Sequence, residues 1–302
     1  MSEQTYDVII IGSGAGGSAT AYSLVNAGCR VLLLEQGGQL PRDGSTLDVK
    51  QVFSEGRFKN QRAWVDNQNR QFIPGEFHNV GGKTKWYGAA LLRFSPEEFD
   101  ADAEHQCLGW PIGYDDLAPY YDRAEALLAV TRFDNEPELQ RLVERVQAAD
   151  PAWHSEALPL GLKREILDHP EEAKHFDGFA SACGFKSDAE WSLLDALGGK
   201  PGFTLKTDTA VTGLLHADDD PTRITGVVCA NGDRHRADSV VLAAGAMSSP
   251  RLLQDYLEAT GLGTRLPSAP VAGANFKLPL NRALPGFSPF QKTAGLARPG
   301  IF

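Results

Sequence analysis

The sequence predicts an α/β chain whose mostly parallel sheet is entered through a strand–turn–helix and extended late by an antiparallel meander. Three observations carry that expectation. A β-branched strand, YDVIII, breaks at once into the glycine-rich turn GSGAGG and then an apolar helix. A second strand, RVLLLE, follows within the same βαβ unit. Far down the chain, several short β-branched runs separated by turn signals precede a strand ending in Ala-Ala-Gly.

The first element carries the clearest chemistry. Gly12-x-Gly14-x-x-Gly17 is a complete dinucleotide-binding spacing: one glycine for the tight turn, one for close backbone approach to a pyrophosphate, one for helix–strand packing. Ser13 and Ala15 are the turn residues between them, and the N–H groups of the following helix would face the phosphates. The helix carries Ala21, Leu24 and Val25 and closes at Gly28. Strand two ends in Glu35, followed by Gln36, about 20 residues beyond the last glycine, where an acid accepts hydrogen bonds from ribose hydroxyls and disfavours a 2′-phosphate. NADP is therefore not expected.

The middle of the chain reads as helix and loop. One helix spans about 115–129, with Leu117, Tyr120, Tyr121, Ala124, Leu127 and Leu128 on one face and Pro119 in its opening turn. A second spans about 137–149 and stops before Pro151. Residues 152–200 have weak periodicity. The acid pairs Glu97-Glu98 and Asp115-Asp116 fall where helices begin and suit the positive end of the dipole.

The late segment gives three antiparallel strands near 209–217, 223–230 and 233–238, with a turn at Asp218–Pro221 and a two-residue Asn231-Gly232 hairpin. VVLAAG then returns to the first sheet, and a helix capped by Ser249, with Pro250 at its first position, runs to Gly261. After Gly263 the turn-rich tail is expected to be extended. The expected division is 1–113 and 203–263 for two parts of one nucleotide-binding domain, 114–202 for an insertion, and 264–302 for a truncated remnant.

Bulk properties exclude several classes. A net charge of −10 is unsuited to nucleic acid. No apolar run is long enough to span a bilayer, and a leader is not expected, because the first strand starts at Tyr6. Cys29, Cys107, Cys183 and Cys229 form no CxxC pair, which suits a reducing cytoplasm. The histidines, His78 near the Gly81-Gly82 pair among them, do not recur at metal-ligand spacing, so no metal is expected.

Three blocks together resemble the glucose–methanol–choline (GMC) oxidoreductase family: IIIGSGAGG with LLLEQGG, then HNVGGKTKWYGAALLRFSPEEFD with GWPIGYDDLAPYYDRAE, then ITGVVCANGD followed by ADSVVLAAGAMSSPRLL. The middle block is most similar to the flavin subunits of bacterial gluconate and sugar dehydrogenases. The resemblance implies a Rossmann-like FAD-binding domain and a flavoprotein dehydrogenase. It places Gly81, Gly82 and Thr84 along the flavin and pyrophosphate, with Trp86, Gly88 and Ala89 beside them. It sets Val211 against the adenine, and Ala244 and Gly245 at the cofactor's side of the returning strand. The plain alternative for the loop, a glycine turn before the core pair Trp86-Tyr87, stays open. In some relatives a histidine at the position of Trp86 attaches the flavin covalently; Trp86 implies non-covalent FAD. The cysteine-rich loop of the gluconate-dehydrogenase branch keeps only Cys183 in KHFDGFASACGFKSDAE.

The implied reaction moves a hydride from an alcohol, polyol or sugar-acid CH–OH group to the flavin. The family's catalytic histidine lies near the end of a longer chain, and no residue here matches it. At the start of the family's substrate domain a histidine would follow Asn275, and Pro279 stands there instead. No catalytic base is assigned, and a second subunit completing the substrate site is one expectation. Two other readings stay open: a non-catalytic flavin-binding remnant or subunit whose uncovered apolar surface associates, and an NAD-linked dehydrogenase, which the meander disfavours.

Overall fold

The computed structural model describes residues 6–66, 68–105 and 107–274. They fall into two compact units, the first made of the residues up to Lys85 and those from Asp188 onward, the second of Trp86–Ser187.

The first unit is built on one six-stranded sheet. Strand β1 (Tyr6–Ile11) leads through helix α1 (Ala15–Asn26) to β2 (Val31–Leu34). A two-residue hairpin pair, β3 (Trp64–Val65) and β4 (Gln71–Phe72), stands apart from the sheet. The later strands are β5 (Phe203–Lys206), β6 (Val211–Ala217), β7 (Asp220–Cys229) and β8 (Arg234–Leu242). Their spatial order is β5-β2-β1-β8-β7-β6. The first four are parallel, with Ile9 level with both Leu32 and Val240; β8, β7 and β6 continue antiparallel.

Period-two alternation explains the layers. Ile10, Val31 and Leu33 point to one face and pack with Ala21 and Val25 of α1, and with Val80, Leu194 and Leu197. Ile9, Ile11, Leu32 and Leu34 point to the other, where Val227 and Cys229 of the meander cover them. Both faces being buried, β1 and β2 read as continuous apolar runs rather than alternating ones.

The predicted mixed fold is the one observed, with differences in detail. A fourth parallel strand, β5, lies beside β2, where the sequence predicts no strand before the meander at 209. The last meander strand and VVLAAG are one strand: β8 pairs with β7 over Arg234–Arg236, then with β1 from Ala237 onward. The turn after β7 is longer than two residues, since Cys229 N–H donates to Asp233 O at 2.9 Å while Ala230 N–H turns aside to Ala210 O. Helix α5 (Gly245–Ala259) starts four residues before Ser249. Ser249 still accepts a backbone hydrogen bond, from Ala244 N–H at 2.9 Å, but from inside the helix.

In the second unit α2 (Tyr114–Leu127) and α3 (Pro137–Ala149) appear where predicted. Asp116 caps the first by accepting from Gly113 N–H, and Glu98 takes Ser95 N–H at the turn Pro96–Phe99, as the acid pairs suggested. Neither helix buries a residue. The core of this unit is instead Ala89, Leu160, Leu162 and Ile166. Lys186 is fully buried beside it and donates to the carbonyls of Tyr87, Phe176 and Phe179. A short helix, α4 (Pro170–Lys174), places Glu172 to accept from Ala182 and Cys183 N–H. Among the described residues no helix is long and apolar enough to cross a membrane, and no cluster could hold a metal ion. Cys29, Cys183 and Cys229 form no disulfide among the described residues. Asn275 and Pro279 lie outside the described residues.

Candidate functional site

The site lies where the sheet order reverses. The path from β1 to β2 to β5 runs one way, and β8 lies on the other side of β1, so the carboxyl ends of β1 and β8 flank a topological switch point, the usual ligand crevice of open α/β sheets. Gly12 leaves β1 there with φ +98°. A β-carbon on it would lie 2.5 Å from Ala243 O and 2.9 Å from the Ala244 α-carbon. A β-carbon on Gly17 would lie 1.9 Å from Gly12 O. The turn is thus closed by two glycines that admit no side chain.

Gly14 differs. A β-carbon there would meet nothing within 4 Å, and no side chain caps α1. The helix therefore presents an open, uncapped N-terminus, with the positive end of its dipole toward the cleft. The residues present fit a dinucleotide pyrophosphate: open space in front of Gly14 is what close backbone approach requires.

Glu35, at the end of β2, is 6% exposed. Its Oε2 accepts from Ser13 N–H at 3.0 Å and from Ser13 Oγ at 2.7 Å, and its Oε1 accepts from Gly37 N–H at 2.9 Å. Three donors thus hold a carboxylate that has about four acceptor positions. Gln36 is exposed beside it. Val211 begins β6 close to the same strand end, since Thr209 N–H donates to Glu35 O and Asp208 N–H to Gly37 O.

The Gly81-Gly82 loop reaches this turn. Gly81 N–H donates to Ser13 Oγ at 3.1 Å, and a β-carbon on Gly82 would be 3.3 Å from the Gly14 α-carbon. The Thr84 hydroxyl is engaged within the loop: it donates to Gly81 O at 2.6 Å and accepts from Ala189 N–H at 3.0 Å. His78 meets Gly37 through its backbone carbonyl. Ala244 and the exposed Gly245, φ +85°, complete the β8 side. Trp86, Gly88 and Ala89 belong to the second unit. There Trp86 is buried, a β-carbon on Gly88 would lie 2.8 Å from Asp177 Oδ1, and Ala89 joins the leucine core.

Sequence reasoning missed what braces the loop. Lys85, 3% exposed in its side chain, pairs with Asp188 at 3.1 Å and Glu190 at 2.5 Å. Arg42 reaches Glu190 at 3.1 Å and lies 3.7 Å above the Trp191 ring. Burial raises the Asp188 carboxyl above its ordinary range, opposed by Lys85. The stretch KSDAE lies in the weakly periodic region 152–200, yet every residue of it is buried. Its partners lie about a hundred positions away, which no local pattern signals.

The FAD dependent oxidoreductase family matches residues 7–299. Paromamine 6'-oxidase of Streptomyces fradiae is 31% identical over 68% of this chain and 40% of its own length. The 2-methyl-1,2-propanediol dehydrogenase of Mycolicibacterium austroafricanum is 33% identical over 45% of this chain and 26% of its own. Among solved structures, pyridoxine 4-oxidase from Mesorbium loti superposes with a TM-score of 0.56 at 19% identity, over 85% of this chain and 54% of that one. The last is a likeness of fold. The chain thus spans less than half the length of the curated relatives it matches.

Proposed function

Because the chain belongs to the FAD dependent oxidoreductase family, we propose that it forms the cofactor-holding part of a GMC-type enzyme oxidising a CH–OH group of an alcohol, polyol or sugar acid. One observation supports this: the glycine turn, Glu35, the Gly81-Gly82 loop and the end of β8 meet at one place in the first unit, with free space in front of Gly14. FAD, when bound, supplies a hydride acceptor. The N-terminus of α1, from Gly12 through Ser13, Gly14, Ala15 and Gly17, binds the pyrophosphate. Glu35 and Gln36 orient the adenosine ribose, with Val211 beside the adenine. The backbone of Gly81 and Gly82 approaches the cofactor, held in place by Thr84, while Ala244 and Gly245 close the opposite wall. Trp86, Gly88 and Ala89 are assigned to the flavin's surroundings on the family resemblance, and Trp86 in place of a histidine supports dissociable FAD.

The residue that takes the hydroxyl proton is not assigned to this chain's described part. Residues 264–302 open the substrate side in this reading, which a further length of chain or a second subunit completes. Scattered cysteines with no CxxC spacing support a cytoplasmic location. The test is to load the purified protein with FAD and add a panel of alcohols and sugar acids without air. Bleaching of the visible flavin bands supports oxidation by this chain; stable yellow protein that no substrate bleaches supports cofactor holding alone; colourless protein that binds NADH overturns the proposal.

A further inference from the structure

We propose that the Ser13 hydroxyl is a positioning group that couples the acid at the end of β2 to the Gly81-Gly82 loop. The inference rests on the cofactor reading above. Ser13 is fully buried, so its hydroxyl has no water to exchange partners with. An amide N–H can only donate, so Ser13 Oγ accepts from Gly81. An ionised carboxylate can only accept, so the hydroxyl proton points to Glu35 Oε2. The chain Gly81 N–H to Ser13 O–H to Glu35 therefore has one direction. Its anionic end strengthens both links, since charge-assisted hydrogen bonds are the stronger kind and successive bonds polarise one another.

Position 13 is the variable residue of Gly12-x-Gly14, where the spacing requires no side chain. Here the hydroxyl bonds Glu35 and Gly81, and the backbone of the same residue is held as well. Its backbone N–H shares the same Glu35 oxygen at 3.0 Å, and its carbonyl accepts from Ser18 Oγ at 2.7 Å. The loop it grips depends on such tethers. Gly81 and Gly82 have φ of +84° and +55°, a region glycine enters and leaves at little cost. A ligand that adds a donor to Glu35 draws the carboxylate's charge toward itself and changes what the hydroxyl, and through it Gly81, is offered. Occupancy at the ribose end is thereby felt at the loop without direct contact.

The experiment uses the full chain and AMP, a probe with the ribose but without the flavin. Hydrogen exchange is followed on the peptide containing Gly81, with and without saturating AMP, in wild type, Ser13→Ala and the nearly isosteric Ser13→Cys. AMP is expected to slow exchange in wild type about fivefold. In Ser13→Ala that response is expected to vanish while AMP still binds, and FAD affinity is expected to fall about tenfold. The readout is the ligand-induced change, which a merely structural serine would leave intact in a folded variant. An equal AMP response in wild type and Ser13→Ala overturns the coupling while leaving the cofactor reading standing. Should Ser13→Ala not fold, an undiminished response in Ser13→Cys overturns it equally. Wild-type protein that binds neither AMP nor FAD overturns the cofactor reading and this inference with it.

Discussion

A β-carbon at Gly17 has no room and one at Gly14 has nothing but room, so the two glycines of one motif should fail differently. Gly17→Ala is expected to destabilise the apoprotein by about 1–3 kcal/mol, as overpacking does. Gly14 already has φ −66°, so Gly14→Ala should leave the unfolding free energy within about 1 kcal/mol while weakening FAD. Urea unfolding and FAD titration of both variants check this; equal stability losses would contradict it. Glu35 gives a finer expectation. With three of about four acceptor positions filled, its carboxylate has room for one ribose hydroxyl. Of 2′-deoxy-ADP and 3′-deoxy-ADP, one should bind about tenfold weaker than ADP, a loss of about 1.4 kcal/mol, and the other nearly as well. The glycine spacing and the acid were legible because each obeys a local rule. The Ser13 hydroxyl's part was not, because its second partner, Gly81, lies 68 positions away.

The loop Gly81–Lys85 is pinned by charges from another stretch of sequence. Lys85→Met leaves Asp188 and Glu190 without their buried cation and is expected to cost about 3–5 kcal/mol. Asp188 also sets a pH dependence. Its carboxyl is raised by burial from the ordinary 3.8, so across the window above that value the native state keeps a proton the unfolded chain has lost. Its contribution to stability therefore falls as pH rises through the window and is constant above it. Asp188→Asn does not titrate. The unfolding free energy of wild type minus variant should decline from about pH 4 upward and then level, as chemical denaturation across pH can show; a rising difference would contradict the assignment. At this scale the strand–turn–helix start, the meander and both middle helices could be read from sequence. The short β5 was not, although Phe203 and Leu205 alternate with polar neighbours and pack on the core, because four residues are the shortest run that shows a strand period. The unity of β8 was hidden because the strand changes partners, from β7 to β1, with no turn to mark the change.

Across the whole molecule the two units differ in how completely they bury themselves. The first covers both faces of its parallel strands. The second leaves α2 and α3 without a buried residue, and leaves Leu92 69% and Leu108 84% exposed. Of the apolar face predicted for α2, Tyr120 is 65% exposed, while Leu117, Tyr121, Leu127 and Leu128 are half-buried. Large exposed apolar surface favours association. Light scattering should show concentration-dependent association that Leu92→Ser with Leu108→Ser reduces at unchanged melting temperature; a monomer at all concentrations would contradict that expectation.

The proposed function makes the first unit a preformed seat for one adenine-bearing flavin. Thermal unfolding of the apoprotein in rising FAD is the decisive check, with FMN and NAD in parallel. Binding to the native state alone predicts stabilisation of about 2.7 kcal/mol with FAD at a hundredfold excess over its Kd, and less at that same concentration with FMN, with NAD, or with FAD on Glu35→Ala. No shift with FAD, or a larger shift with NAD, would contradict it.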